Sequence, residues 1–215
     1  MSDRDWNRIA TRCGIAAPIV ALGAVVLATI VASPETFTWR GRALSDMGRY
    51  GAETFALFNG GLIVGGLLGL PFAWRLWQTS RGVVERVGVA LLVVAVAGLI
   101  GVGVFFLDHT AVYLETERHF LAALTFFGVA PIAQWVYGTG QVLADDRRGG
   151  LVSIWLGIAH PIAWLGWLLY RAGSADPWAW FAVPEFVAAL AFGGWILVVA
   201  VDRPSAVPGG PIPSR

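Results

Sequence analysis

Lysine is absent from this chain, and all fifteen basic residues are arginine. These arginines are dispersed through the loops, which fits the codon bias of a GC-rich genome better than arginine-specific chemistry. Cysteine is almost absent too. Cys13 stands alone, so no internal disulfide can form and no ligand-spaced thiol pair exists; it reads as a small apolar residue at the start of a span. Charge is scarce: charged residues are 13% of the chain, against ~25% in a soluble domain. The formal net charge of +1 gives no support for a nucleic-acid partner. No glycine-rich phosphate loop follows a strand, so a nucleotide is not expected.

What remains is apolar. Hydrophobic residues make up 57% of 215, gathered into six long stretches at approximately 14–31, 52–74, 87–107, 120–141, 151–170 and 178–201. A bilayer core needs ~20 helical residues to cross it. The stretches lack the period-two alternation of barrel strands, so helices are expected. The fold class is all-α: one polytopic transmembrane domain of six helices over residues 1–202, with a Pro/Gly-rich tail at 203–215 read as disordered. The first stretch is longer than a signal-peptide core of ~7–15 residues and reads as an uncleaved helix.

Arginine placement orients the bundle. The N-terminal segment, the second and fourth loops and the tail hold ten arginines, and the opposite side holds Arg40, Arg42, Arg49, Arg118 and Arg171. The richer side is expected to be cytoplasmic, with both termini there. The expected location is the cell membrane, multi-pass.

The polar variety lies in the loops of the other side, where function tends to sit on a rigid scaffold. The first loop contains Ala43-Leu44-Ser45-Asp46-Met47-Gly48. The second span carries Phe58-Asn59-Gly60-Gly61. The third span ends in Phe106-Leu107-Asp108, and His119 opens the fourth. In this order and at these span ends, the motifs resemble the family called domain of unknown function 998, over nearly the whole chain. The proline of the family's F-P-x-D stretch is missing here. The resemblance implies six spans and assigns no activity. A more distant likeness, by span count and the opening histidine, is to Frag1-type proteins linked to lipid remodelling.

Asp46, Asp108 and His119 lie near the same ends of spans two, three and four. Asn59 and Glu185 each lie about two turns deep from that side, and an intramembrane carboxylate normally pairs or lines a wet cavity. Three readings stand. In the structural one, Asp46 caps a short helix or pairs with Arg42 or Arg49, and Asp108 pairs with His119 or Arg118. In the second, Ser45, Asp46, Asn59, Asp108, His119 and Glu185 line an outward-facing pocket for a lipid headgroup or small amphiphile, with Arg42 beside it. In the third, His109, His119 and Asp46 or Asp108 hold a metal that activates water against a lipid bond. The ligand-binding reading is preferred, with no cofactor expected. A lipid hydrolase is the alternative, and a small transporter comes third. Whether the protein is an enzyme stays open.

His160-Pro161 falls mid-span, with Gln134 as a plausible partner for the imidazole. The glycines of span two, Gly60, Gly61, Gly65, Gly66 and Gly69, form a close-packing face. That face permits self-association. The other expected partners are membrane lipids.

Overall fold

The computed structural model describes residues 2–108 and 113–202. It has six long α-helices: α1 Asp3–Val31, α2 Phe55–Thr79, α3 Val83–Val104, α4 Tyr113–Leu143, α5 Arg147–Gly173 and α6 Ala182–Asp202. All six are long and apolar enough to cross a membrane, and no strand occurs among the described residues. Some helices run past the apolar stretches, because backbone hydrogen bonding continues into polar first turns. α1 begins near the N-terminus, where Ser2 and Asp5 form a capping box. The tail at 203–215 lies outside the described residues.

Successive helices are antiparallel neighbours, and α6 closes the ring against α1. Small residues set the spacing. A Cβ placed on Gly65 would lie 2.7 Å from the Ala21 Cβ, and one on Gly66 would lie 2.4 Å from Ile100 Cγ1. The glycine face of α2 is therefore split: Gly61 and Gly65 meet α1, Gly66 and Gly69 meet α3, and Gly60 meets nothing within 4 Å. α3 and α4 touch backbone to backbone. A Cβ on Gly88 would lie 2.6 Å from Tyr137 Cα, and one on Gly98 would lie 2.7 Å from the Phe126 nitrogen.

The centre of the ring is filled by Phe72, Leu76, Leu92, Phe126, Tyr137 and Trp195, all buried. A second apolar cluster closes the end of the bundle that carries the α1–α2 connection. Here the chain does something a hydrophobicity profile does not show. Residues Leu44–Gly48 form a short 3₁₀ turn whose Leu44 and Met47 side chains insert among Val25, Phe58, Leu62 and Val102. The connection is a plug and not only a tether.

Candidate functional site

The plug is held by polar groups that reach it from distant helices. The Leu44 N–H donates to Glu185 Oε2 at 2.7 Å. Asn59 Nδ2 donates to the Gly48 carbonyl at 2.8 Å, and the Thr54 hydroxyl donates to the Met47 carbonyl at 2.7 Å. Asp46 accepts from the Ala43 N–H at 2.8 Å, closing the turn on itself. Asn59, Glu185 and Thr54 are all buried. A short turn cannot pair all its own backbone groups, and burying them unpaired would cost ~1–3 kcal/mol each. The helices supply the missing partners. Asn59 and Glu185, expected as walls of an open pocket, are thus occupied with the chain's own backbone.

Arg49 joins two elements. Its guanidinium pairs with Asp46, three residues back, and with Asp108, four residues beyond the end of α3. Arg49 was one of the two partners weighed for Asp46; for Asp108 it replaces the His119 and Arg118 that were expected. Asp46, ahead of Asp108, holds the guanidinium above its already high ordinary pKa against the opposing effect of burial. Asp108 has φ 55°, a left-handed conformation that aspartate tolerates better than most residues. Next to it, the Tyr50 N–H donates to the Leu107 carbonyl at 3.0 Å.

His119 is buried on α4 and its Nδ1 lies 2.7 Å from the Phe105 carbonyl. A carbonyl only accepts, so Nδ1 carries the hydrogen and satisfies a carbonyl at the C-terminal end of α3. This bond joins α3 to α4 and is not a bond to Asp108. Ser45 is half-buried. The described residues include no group of three or more His, Cys, Asp or Glu placed to hold a metal ion. His109, the other imidazole considered as a ligand, lies outside them.

Beside the plug is an open cleft of about 360 Å³, with Arg42, Asp46, Arg49, Tyr50 and the acidic Glu35 and Glu53 on its walls. Of the six candidate ligand-binding residues, Asp46 alone lines it. Arg42 is exposed and donates to the Glu35 backbone carbonyl at 3.1 Å; among the described residues no carboxylate pairs with it. Glu53 binds the far side of the loop, accepting from the Ser33 N–H and the Thr36 hydroxyl.

Those bonds, the Ser33 N–H first, pull the Glu53 carboxyl from 4.5 down to about 2. A depressed carboxylate pKa means stability that is present above the unfolded value and lost as pH falls through the folded one. The Glu53 tether is therefore expected to hold at neutral pH and to release between about 4.5 and about 2. The Glu53 carboxyl carbon shift, followed by NMR, should titrate near the lower value; a midpoint near 4.5 would show that the tether does not form.

A second polar cluster lies at the opposite end of the bundle. Glu85 is fully buried and accepts from Arg81 through Nε at 3.0 Å, Nη2 at 2.7 Å and the backbone N–H at 2.7 Å. Arg75, counted in the sequence with the loop arginines that orient the bundle, lies within α2 and is 1% exposed. From Trp195, Nε1 donates to Ser153 Oγ at 3.0 Å, and Ser153 donates to Gln141 Oε1 at 2.8 Å. Gln141 continues to Asp146 at 3.3 Å. Glu85 at the third position of a helix was the available signal, since acidic residues favour the first turn. Nearer mid-span, Gln134 donates to the Ala191 carbonyl at 3.3 Å. Its expected partner His160 is fully buried, and no hydrogen bond to either ring nitrogen occurs among the described residues.

A family model described as "Protein of unknown function (DUF998)" matches residues 15–202. No curated protein and no solved structure matches.

Proposed function

The chain belongs to the DUF998 family, whose description is of unknown function, and its six helices are long and apolar enough to cross a membrane; from that premise we propose that it binds a lipid headgroup or small amphiphile beside the plug. In this reading the termini lie in the cytoplasm and the cleft opens on the other face of the cell membrane. The single observation that supports it most is the cleft of about 360 Å³, a volume within the ~300–1,000 Å³ range of small-ligand sites.

Its walls carry both signs of charge. Arg42 offers N–H donors without a carboxylate partner among the described residues, and Glu35 stands on the same wall. A zwitterionic headgroup suits that pairing: its phosphate against Arg42 and its ammonium against Glu35. Asp46, Asn59, Asp108 and Glu185 support the cleft by holding the turn and Arg49 in place, with Asp46 also facing it. Lipid retained by the protein extracted from its own membrane, read by native mass spectrometry, tests the proposal. Arg42→Gln should lower retention of a zwitterionic adduct roughly tenfold, the worth of one charge-assisted hydrogen bond. Equal retention by wild type and variant would overturn it.

A further inference from the structure

On the outside of the ring, between α5 and α6, runs an apolar groove of about 810 Å³. Small residues make it concave: Ala159, Ala163 and Gly166 on α5, and Pro184 on α6. Nothing lies within 4 Å of a Cβ built on Gly166, so that position opens onto space instead of a packed neighbour. Trp167, Tyr170 and Trp180 form the end of the groove nearest the α5–α6 connection. Trp and Tyr favour headgroup depth.

Trp180 sits there at a cost. Its φ is 63°, the left-handed region that a bulky residue rarely enters. Its N–H donates to the Arg40 carbonyl at 2.8 Å, so loop 1 holds the strained residue in place. Strain of this kind persists where surrounding structure enforces it, and it clusters at ligand sites.

A cation stands behind Trp167, which lines that end; it does not itself line the groove. Arg171 is half-buried, one helical turn beyond Trp167. Its guanidinium carbon lies 5.5 Å from the Trp167 ring centroid and 4.7 Å from that of Trp178. Stacking engages the faces of a guanidinium and leaves its in-plane N–H donors available. Among the described residues neither a salt bridge nor a side-chain hydrogen bond engages them. The nearby carboxylate of Asp176 accepts from the Trp178 N–H at 3.4 Å.

We propose that this groove is a binding site for one anionic phospholipid, with the phosphate on Arg171 and an acyl chain along α5 and α6. A guanidinium without a salt-bridge partner among the described residues, close to a hydrocarbon-lined groove, matches a ligand with negative charge at one end and hydrocarbon at the other. The site shares no lining residue with the cleft beside the plug and does not depend on that reading.

The test uses the full chain in mixed micelles containing equal phosphatidylglycerol and phosphatidylcholine, with retained lipid counted by native mass spectrometry. Arg42→Gln, in which the cleft beside the plug no longer favours a zwitterionic lipid, should retain phosphatidylglycerol in preference. Adding Arg171→Gln should reduce that preference roughly tenfold while the chain stays folded, with only a small drop in thermal midpoint for the two lost ring contacts. Gly166→Leu, whose Cβ would meet no protein atom within 4 Å, should reduce phosphatidylglycerol retention by narrowing the groove. Wild type should retain phosphatidylglycerol as well as Arg42→Gln does, with phosphatidylcholine added at the cleft. Equal retention of the two lipids by Arg42→Gln would overturn the proposal, and so would an undiminished preference once Arg171→Gln is added. Weaker phosphatidylglycerol retention in Arg42→Gln than in wild type would move the anion site to the cleft and overturn it as well.

Discussion

Gly98→Val is expected to separate α3 from α4 and to cost about 3 kcal/mol or more, at or above the top of the usual range for overpacking. The reason is what the new side chain meets. A Cβ at position 98 would lie 2.7 Å from the Phe126 nitrogen and 3.0 Å from the Ala122 carbonyl oxygen. These are backbone atoms of a helix and cannot rotate away as the end of a flexible side chain can. The seam has a second such contact at Gly88 against Tyr137, so relief at one point strains the other. Gly128→Ala is the control. Nothing lies within 4 Å of a Cβ there, and alanine is favoured over glycine inside a helix by roughly 0.5–1 kcal/mol. That variant should be neutral or slightly stabilised. Thermal unfolding in detergent, followed by size-exclusion fluorescence, compares the three proteins; a Gly98→Val midpoint equal to wild type would show that the two backbones do not approach as described.

The second large effect is expected at Glu185. Replacing it with leucine removes the acceptor for the Leu44 N–H, a bond of 2.7 Å between residues 141 positions apart. The amide would then sit unpaired in an apolar setting, at a cost of about 1–3 kcal/mol. The turn should lift from the bundle end, exposing Met47, which is fully buried in the native protein. Arg49, already half-exposed, would be freed from the bundle with it. Limited trypsin digestion is expected to cut at Arg49 roughly ten times faster in Glu185→Leu than in wild type, since one lost hydrogen bond of this size shifts an opening equilibrium by about that factor. Glu185→Gln retains a carbonyl acceptor and should behave like wild type. If the leucine variant is cut no faster, Glu185 does not hold the plug.

Both expectations rest on contacts that differ in how visible they were beforehand. The small residues of α2 were legible as a packing face, because glycine at helical spacing in a span has few other uses. Which neighbour each glycine meets was not. Gly65 faces α1 and Gly66, one residue on, faces α3, a division that follows from the ring order of the helices. The polar residues of the α1–α2 end were also legible as a group, since polar side chains at span ends stand out against an apolar background. Their partners were only partly so. Arg49 was a candidate for Asp46, and the short turn around Asp46 was foreseeable from Ser45-Asp46 before Gly48. The bond from Arg49 to Asp108 spans 59 positions, and no local pattern encodes it. Buried Arg75 and Glu85 were missed, because charged residues next to a short loop look the same in sequence whether they point to water or into the bundle.

The sequence by itself determined that this chain is a bundle of six membrane-crossing helices. That conclusion needs only run length and composition, because a backbone in hydrocarbon must satisfy its hydrogen bonds internally and a helix does so within one segment. Only the tertiary structure decided that α6 closes on α1, that the first loop returns as a buried plug, and that Asn59 and Glu185 are occupied by its backbone. Those outcomes depend on the rotation and register of each helix against its neighbours. Many weak packing contacts set these together, and no single stretch of sequence contains them.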